Sequence, residues 1–170
     1  MRTIVGRLLF SASLFFGTVA LAQFTPIGDW LHNENIDLIT DEDKSIIIAV
    51  SSEYPGYAQY SGVVIRCADY LPLGVELYFN ADRYLGSGDR YDVIYRIDGG
   101  QPISDRWSSS TDSEAAFAPL GAIEPLISSL LDSREMIFRV STRTANYTYV
   151  VPTSGLREAI SALGCYTGQL

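Results

Sequence analysis

The sequence predicts an α+β fold built on an antiparallel β-sheet or β-sandwich, with two helices in the C-terminal half. Three observations lead to this prediction: short apolar or alternating segments separated by turn residues, eleven tyrosines among 12% aromatic residues, and helical apolar spacing confined to two late segments. The 170 residues suffice for one domain plus a short appendage. A content of 47% apolar and 19% charged residues disfavours disorder.

The appendage is residues 1–22, which have the features of a secretory signal peptide. Two arginines form a basic start, an apolar run extends from Leu8 through Leu21, and Ala20 to Ala22 provides a small-residue cleavage site. The apolar run of about 15 residues is shorter than the roughly 20 that span a bilayer, which disfavours the alternative of a retained anchor. We therefore expect residues 23–170 to form a single exported β-rich domain, periplasmic or secreted, without a stable membrane anchor after cleavage.

The charge of the chain limits the class of partner. Twelve basic and twenty acidic side chains give a net charge of −8. Cleavage would remove two of the twelve arginines and lysines and no acidic group, which leaves ten against twenty. An acidic protein does not bind a polyanion through a broad basic surface, so nucleic acid is not an expected partner.

The first two thirds of the exported part contain six predicted strands. Ile46–Val50 is an almost unbroken β-branched run, which is typical of a strand buried on both faces. Later segments alternate between apolar and polar residues, and Asp98-Gly99-Gly100 supplies a tight hairpin turn. In chain order, the predicted strands are Ser45 to Val50, Gly62 to Ala68, Val75 to Asn80, Tyr91 to Asp98, Gln101 to Ser109 and Ala115 to Ala118.

Two helices and two further strands complete the predicted order. Between Pro119 and Asp132 the apolar residues recur at helical spacing and give one apolar face. Met136 to Thr142 and Tyr147 to Val151 return to strand character. Ser154 is the predicted cap of a last helix that stops at Gly164.

Cys67 and Cys165 are the two cysteines of the chain. Export would place them in an oxidising compartment, where one intramolecular pairing is possible. The sequence therefore predicts a Cys67 to Cys165 disulfide that joins the last helix to the second predicted strand. The alternative is a reactive thiol, which the absence of a Cys-x-x-Cys pair disfavours.

The search for catalytic, cofactor and metal residues leaves no candidates. His32 is the single histidine and no Gly-x-Ser-x-Gly motif is present, so a classical hydrolytic triad is not expected. A zinc site would have to use carboxylates almost alone, and no phosphate-binding glycine motif occurs. Twenty acidic residues permit a glycosidase pair, but their number does not select one. We expect a protein that is not an enzyme and has no cofactor.

Three arginines occupy the non-core phase of predicted strands in this acidic chain. One interpretation is cross-strand pairing with Glu76, Asp92 or Asp98 on an exposed face. The other is an arginine patch that receives a carboxylate or phosphate of a ligand or partner protein, which Trp107 would extend unless it lies in the core. The candidate partner-binding residues are Arg66, Arg96, Asp98, Trp107 and Arg139.

Several motifs, in their order along the chain, resemble the VasI/TagO family of type VI secretion-associated proteins. Trp30, the acidic Asp41 to Asp43, Gly155-Leu156 and Cys165 extend the resemblance over nearly the whole exported part. The motifs are Ile65-Arg66-Cys67, Val93-Ile94-Tyr95-Arg96-Ile97-Asp98-Gly99, Trp107-Ser108-Ser109-Ser110-Thr111-Asp112 and Ala116-Phe117-Ala118-Pro119.

The resemblance implies a small exported accessory protein found with type VI secretion genes, without an enzymatic role or a cofactor. Such a protein would act by contact with a protein partner in the cell envelope. The alternative function is a periplasmic ligand-binding or inhibitor module that uses an arginine-bearing sheet face. An envelope hydrolase is the third possibility.

Overall fold

A computed structural model of the protein describes residues 24–52 and 61–168, and the predicted signal peptide lies outside these residues. Within them, ten strands form one antiparallel sheet and two helices pack against it, which confirms the predicted α+β fold. The strands are β1 (Thr25–Ile27), β2 (Trp30–Asn33), β3 (Ile46–Val50), β4 (Gly62–Cys67), β5 (Val75–Asn80), β6 (Arg90–Ile97), β7 (Ile103–Ser109), β8 (Ala115–Phe117), β9 (Glu135–Ser141) and β10 (Asn146–Pro152), and the helices are α1 (Leu120–Leu130) and α2 (Leu156–Ser161).

The sheet curls so that its two halves face each other across the core. The strand order is β1-β2-β3-β4-β5-β8-β7-β6-β9-β10, so β5 and β9 are separated by three strands. Nevertheless, the ring of Phe79 on β5 stacks on that of Phe138 on β9, with 4.3 Å between centroids. At the open edge, the N–H of Ser52 donates to the carbonyl of Val150 on β10 at 2.9 Å. Each half of the sheet therefore has an inner face in the core and an outer face.

The turn after β6 follows the sequence prediction. Asp98 and Gly99 have φ values of 47° and 71°, which is the left-handed conformation expected at a tight Asp-Gly turn. The hairpin pairs β6 with β7. The Asp98 carboxylate also accepts from the backbone N–H groups of Arg134 and Glu135 at 2.9 and 3.0 Å, so this side chain ties the turn to the start of β9.

The first two strands are not predicted from the sequence, because they are short and contain polar residues. They are held by burial of Trp30, which is fully enclosed and donates its indole N–H to the carbonyl of Thr153 at 3.0 Å. Gly28, in the turn between the two strands, has a φ of 61°. A Cβ atom there would lie 2.4 Å from the carbonyl oxygen of Ser154, so glycine permits the close approach of the two backbones.

The predicted cap of the last helix is wrong. Gly155, with a φ of 89°, precedes α2, and no side chain caps the helix. The backbone of Ser154 is instead engaged by the β1–β2 turn, since its N–H donates to the Asp29 carboxylate and its carbonyl accepts from the Asp29 N–H, both at 2.9 Å. The helix also ends at Ser161, before the predicted stop at Gly164.

The predicted disulfide is confirmed. Cys67 on β4 is bonded to Cys165, which lies beyond α2, across a sequence separation of 98 residues. The backbone near Cys165 packs tightly on the turn before β5, because a Cβ at Gly74 would lie 1.9 Å from the Cys165 carbonyl oxygen. The disulfide is consistent with a compartment outside the cytoplasm. Among the described residues, no helix has the length and apolarity needed to cross a bilayer.

Candidate functional site on the outer face of the sheet

One row of side chains crosses five strands on the outer face of the first half of the sheet. Directly paired residues in an antiparallel sheet point to the same side, and the pairing links β2 to β3, β3 to β4, β4 to β5 and β5 to β8 at consecutive members of this row. We call this row, which is entirely apolar or aromatic, the apolar face. Its members are Leu31, Ile48, Val64, Tyr78 and Phe117.

The centre of the apolar face is buried although it lies outside the core. Ile48 is 7% exposed and Val64 is 3% exposed. Tyr78 stacks on Phe117, with 4.7 Å between the ring centroids, and burial raises the pKa of the Tyr78 hydroxyl. These contacts make the outer face of β3, β4 and β5 a second packed layer. The unbroken apolar run of β3 is explained by this layer, as the sequence predicts.

A groove of about 390 Å³ opens on the apolar face. Phe24, which is 44% exposed, lies at its edge. A second groove of about 810 Å³ continues it towards the start of β3 and the end of β4, and the two share Ile46, Arg66 and Tyr78 as lining residues. A concave, mostly apolar surface of this kind is typical of a binding or contact site.

Arg66 lies where the two grooves meet. It is paired with Glu76 across β4 and β5, and its Nε donates to the Glu76 carboxylate at 2.6 Å while Nη2 also bonds to the same oxygen. The guanidinium carbon is 5.6 Å from the centroid of the Tyr78 ring, a cation–π distance. The predicted cross-strand pairing of Arg66 with Glu76 is therefore confirmed, and this arginine is engaged within the sheet.

The rim of the two grooves is acidic. Among the described residues, the cations that line them are Lys44 and Arg66, and both are ion-paired: Lys44 with Asp37 at 2.6 Å and Arg66 with Glu76. A hydrogen bond from the Ser110 hydroxyl holds the pKa of Asp112 below its ordinary value, so this rim carboxylate stays charged. The acidic residues that line the grooves are Glu42, Asp43, Asp69, Glu76, Asp112 and Glu114.

The other two candidate arginines lie elsewhere. Arg96 on β6 and Arg139 on β9 occupy the outer face of the second half of the sheet, where Arg139 pairs with Ile94 and Arg96 with Ile137. Arg96 donates to the carbonyls of Gly99 and Gly100 at 3.0 and 3.1 Å. Because the inner faces of the two halves meet in the core, Arg66 lies on the opposite side of the molecule, so the three arginines do not form one patch.

Arg96 and Arg139 do share their outer face with two more arginines. Arg106 on β7 pairs with Asp92 of β6, with 3.1 Å between the charged atoms. Asp92 therefore pairs with Arg106, which is not one of the three arginines considered as its partner from the sequence. We call this surface, on the outer side of β6, β7 and β9, the arginine face; its basic members are Arg90, Arg96, Arg106 and Arg139.

Trp107 lies in the core and does not extend an arginine patch. It is fully buried, lies 5.0 Å from the ring of Phe138, and donates its indole N–H to the Asp105 carboxylate at 3.2 Å. The core interpretation of this residue is therefore confirmed.

Two features of the described residues bear on catalysis or metal binding, namely the single histidine and an acidic residue beside the disulfide. The Nε2 atom of His32 is buried and has no hydrogen-bond partner among these residues. The carboxylate of Asp43 and the sulfur atoms of Cys67 and Cys165 lie within 4.8 Å of one another. Both sulfurs are joined in the disulfide, so they are not thiolate ligands.

The apolar face is not predicted from the sequence, although the outward positions of two of its members are. Val64 and Tyr78 were assigned to the non-core phase of two different strands. Strand register, which places these two residues directly opposite each other, is a long-range property that local alternation does not determine.

Comparison of the chain with protein-family models, with curated proteins and with solved structures finds no match.

Proposed function

We propose that the protein is an exported, non-enzymatic accessory protein that acts by contact with a protein partner in the cell envelope, as the resemblance to type VI secretion-associated proteins implies. The observation that supports this function is the apolar face with its groove. The centre of this face is packed, whereas Phe24 at the groove is 44% exposed, and a mostly apolar groove on a sheet surface is characteristic of interaction sites.

The occupant we propose for the groove is a basic amphipathic segment of the partner protein. The apolar row would receive the apolar side chains of that segment. The acidic rim would receive its lysines or arginines, because the cations that line the groove are already ion-paired. A second copy of this chain is disfavoured, since it carries the same rim and a net charge of −8.

The function is tested by deleting the gene in a strain with type VI secretion and measuring the tube protein exported to the medium. We expect export to fall and to be restored by the wild-type gene. Phe24→Glu, which places a like charge at the acidic rim, should fail to restore export. Ile94→Glu is the matched control, because Ile94 is 38% exposed on the arginine face.

Two results would contradict the proposal at different levels. Unchanged export after deletion would reject the secretion-linked role. Normal export with Phe24→Glu, in a strain where deletion does reduce export, would reject the groove as the contact surface. A concentration-dependent dimer in sedimentation experiments that Phe24→Glu abolishes would replace the partner segment with a second copy.

A second candidate function is a ligand-binding module, the alternative that the sequence analysis left open. The observation that favours it is the clustering of Arg90, Arg96, Arg106 and Arg139 on one face of an acidic protein. Arg66, which is engaged with Glu76 on the other side, is not part of this surface.

A further inference from the structure

We propose that a groove at one end of the arginine face binds an anionic sugar, meaning a pyranose that carries a phosphate or carboxylate group. The groove has a volume of about 870 Å³ and lies between the loop that precedes β6 and the turn that joins β9 to β10. It is separate from the groove on the apolar face. The inference therefore does not depend on the protein-contact function, and it gives the second candidate function a defined site.

Three arginines line this groove: Arg90, Arg106 and Arg143. Arg106 is paired with Asp92 at 3.1 Å. Arg90 and Arg143 are exposed, and within the part of the chain that the structure describes their guanidinium groups make no hydrogen bond or ion pair. Two unengaged guanidinium groups beside one groove match the oxygen pairs of a phosphate or carboxylate, to which each can donate two parallel hydrogen bonds.

The charge of the groove contrasts with that of the whole chain. In the part of the chain that the structure describes, its acidic lining residues are Asp89 and Asp92, so three cations face two anions in a protein with a net charge of −8. Asp92 is already paired with Arg106. An anion that enters this groove therefore meets a local attraction that the rest of the acidic surface does not offer.

The remaining lining residues match a sugar better than a bare anion. Ser87, Ser141 and Thr144 bring hydroxyl groups to the groove, and each hydroxyl can both donate to and accept from a sugar hydroxyl. Tyr84, which is 61% exposed, adds an aromatic ring against which the C–H face of a pyranose can pack. A site with a few placed polar groups beside an aromatic ring fixes the orientation of a small ligand.

The test is a titration of the oxidised, isotopically labelled protein with small ligands, in which changes in the backbone amide chemical shifts report binding. The probes are glucose 6-phosphate, glucuronate, inorganic phosphate and glucose. We expect saturable shifts in residues 84–92 and 141–144 with both anionic sugars, at least tenfold weaker binding of inorganic phosphate, and none with glucose.

Paired variants locate the site. Arg143→Gln should weaken binding of both anionic sugars at least tenfold. Arg134→Gln removes the same charge from another exposed position outside the groove and should leave the affinity unchanged. The proposal is overturned if the anionic sugars give no saturable shifts, if glucose binds as well as they do, or if the two variants behave alike. Inorganic phosphate binding as tightly as glucose 6-phosphate would overturn the sugar assignment.

Discussion

The apolar face and the arginine face differ in the side chains that they place on the outer side of the sheet. Both belong to strands whose inner side chains lie in the core. On β6, burial alternates along the strand, and three of the four outer positions are charged: these positions are Arg90, Asp92, Ile94 and Arg96. On β4, the residues from Gly62 to Ile65 are all buried, and the outer positions include Val64.

The two faces differ in how closely their residues follow the usual pattern of a sheet with one face in water. Alternation of apolar and polar residues is sufficient for a sheet with one face in water. The apolar face departs from that pattern over five strands: packing explains its buried centre at Ile48 and Val64, and the groove beside them is the surface that we propose for contact with a partner. The arginine face keeps the ordinary pattern, but it concentrates one charged residue type.

The largest expected effect concerns the disulfide, which joins the tail of the chain to β4 in the half that bears the apolar face. Cys67→Ser combined with Cys165→Ser should lower the free energy of unfolding by about 2 to 5 kcal/mol, because the unfolded chain loses a cross-link over a long loop. Urea denaturation measures this loss. Amide hydrogen exchange should rise more in β4 and β5 than in β6 and β9. Equal exchange in both halves would show that the disulfide does not support the apolar face selectively.

A carboxylate placed at the centre of each face should separate the two faces directly. Val64→Asp puts a charge at a position that is 3% exposed, and we expect a loss of about 3 kcal/mol in unfolding free energy. Ile94→Asp makes the same change beside arginines at a position that is 38% exposed, where the loss should stay within about 0.5 kcal/mol. Similar losses for the two variants would contradict the distinction between a packed face and a solvated one.

These contrasts also show how far sequence reasoning reaches in this chain. Unbroken β-branched residues in β3 and strict alternation in β6 are local signals, so eight of the ten strands and both helices were predicted near their observed positions. The pairing of Val64 with Tyr78, and the separation of Arg66 from Arg96, depend on strand order and curling. Those are set by distant contacts such as Phe79 on Phe138, which no local pattern specifies.

Replacing one arginine on each face should also give unequal losses of unfolding free energy, but the difference should be smaller than that between the two carboxylate variants. Arg66→Ala leaves Glu76, whose side chain is 12% exposed, without its partner, and should cost about 1 to 2 kcal/mol. Arg96→Ala removes two hydrogen bonds to exposed turn carbonyls and should cost within about 0.5 kcal/mol. Thermal and urea unfolding of each variant, with Glu76→Gln in a double-mutant cycle, checks the comparison. A coupling of zero between positions 66 and 76 would contradict the structural role of the pair.

The smallest expected effect is beside the second groove, at Asp37, the ion-pair partner of the lining residue Lys44. A hydrogen bond from Lys44, together with backbone N–H donors, lowers the pKa of Asp37 to about 2. Because this folded-state pKa lies below the ordinary value, the contribution of Asp37 to the stability of the fold is present above about pH 4 and is lost as the pH falls towards 2. Lys44→Ala should raise the pKa of Asp37 towards its ordinary value, as followed by NMR titration of its carboxylate. An unchanged titration would show that Lys44 does not hold this carboxylate.

The most direct test of the central claim, that the apolar face contacts a basic segment of a partner, is photo-crosslinking in cells that produce the protein. Phe24 at the groove and Ile94 on the arginine face would each be replaced by p-benzoylphenylalanine, and the crosslinked peptides identified by mass spectrometry. We predict a defined adduct from position 24, with a peptide that is apolar and net positive, and none from position 94. An acidic peptide, no adduct at position 24, or the same adduct from both positions would contradict the account.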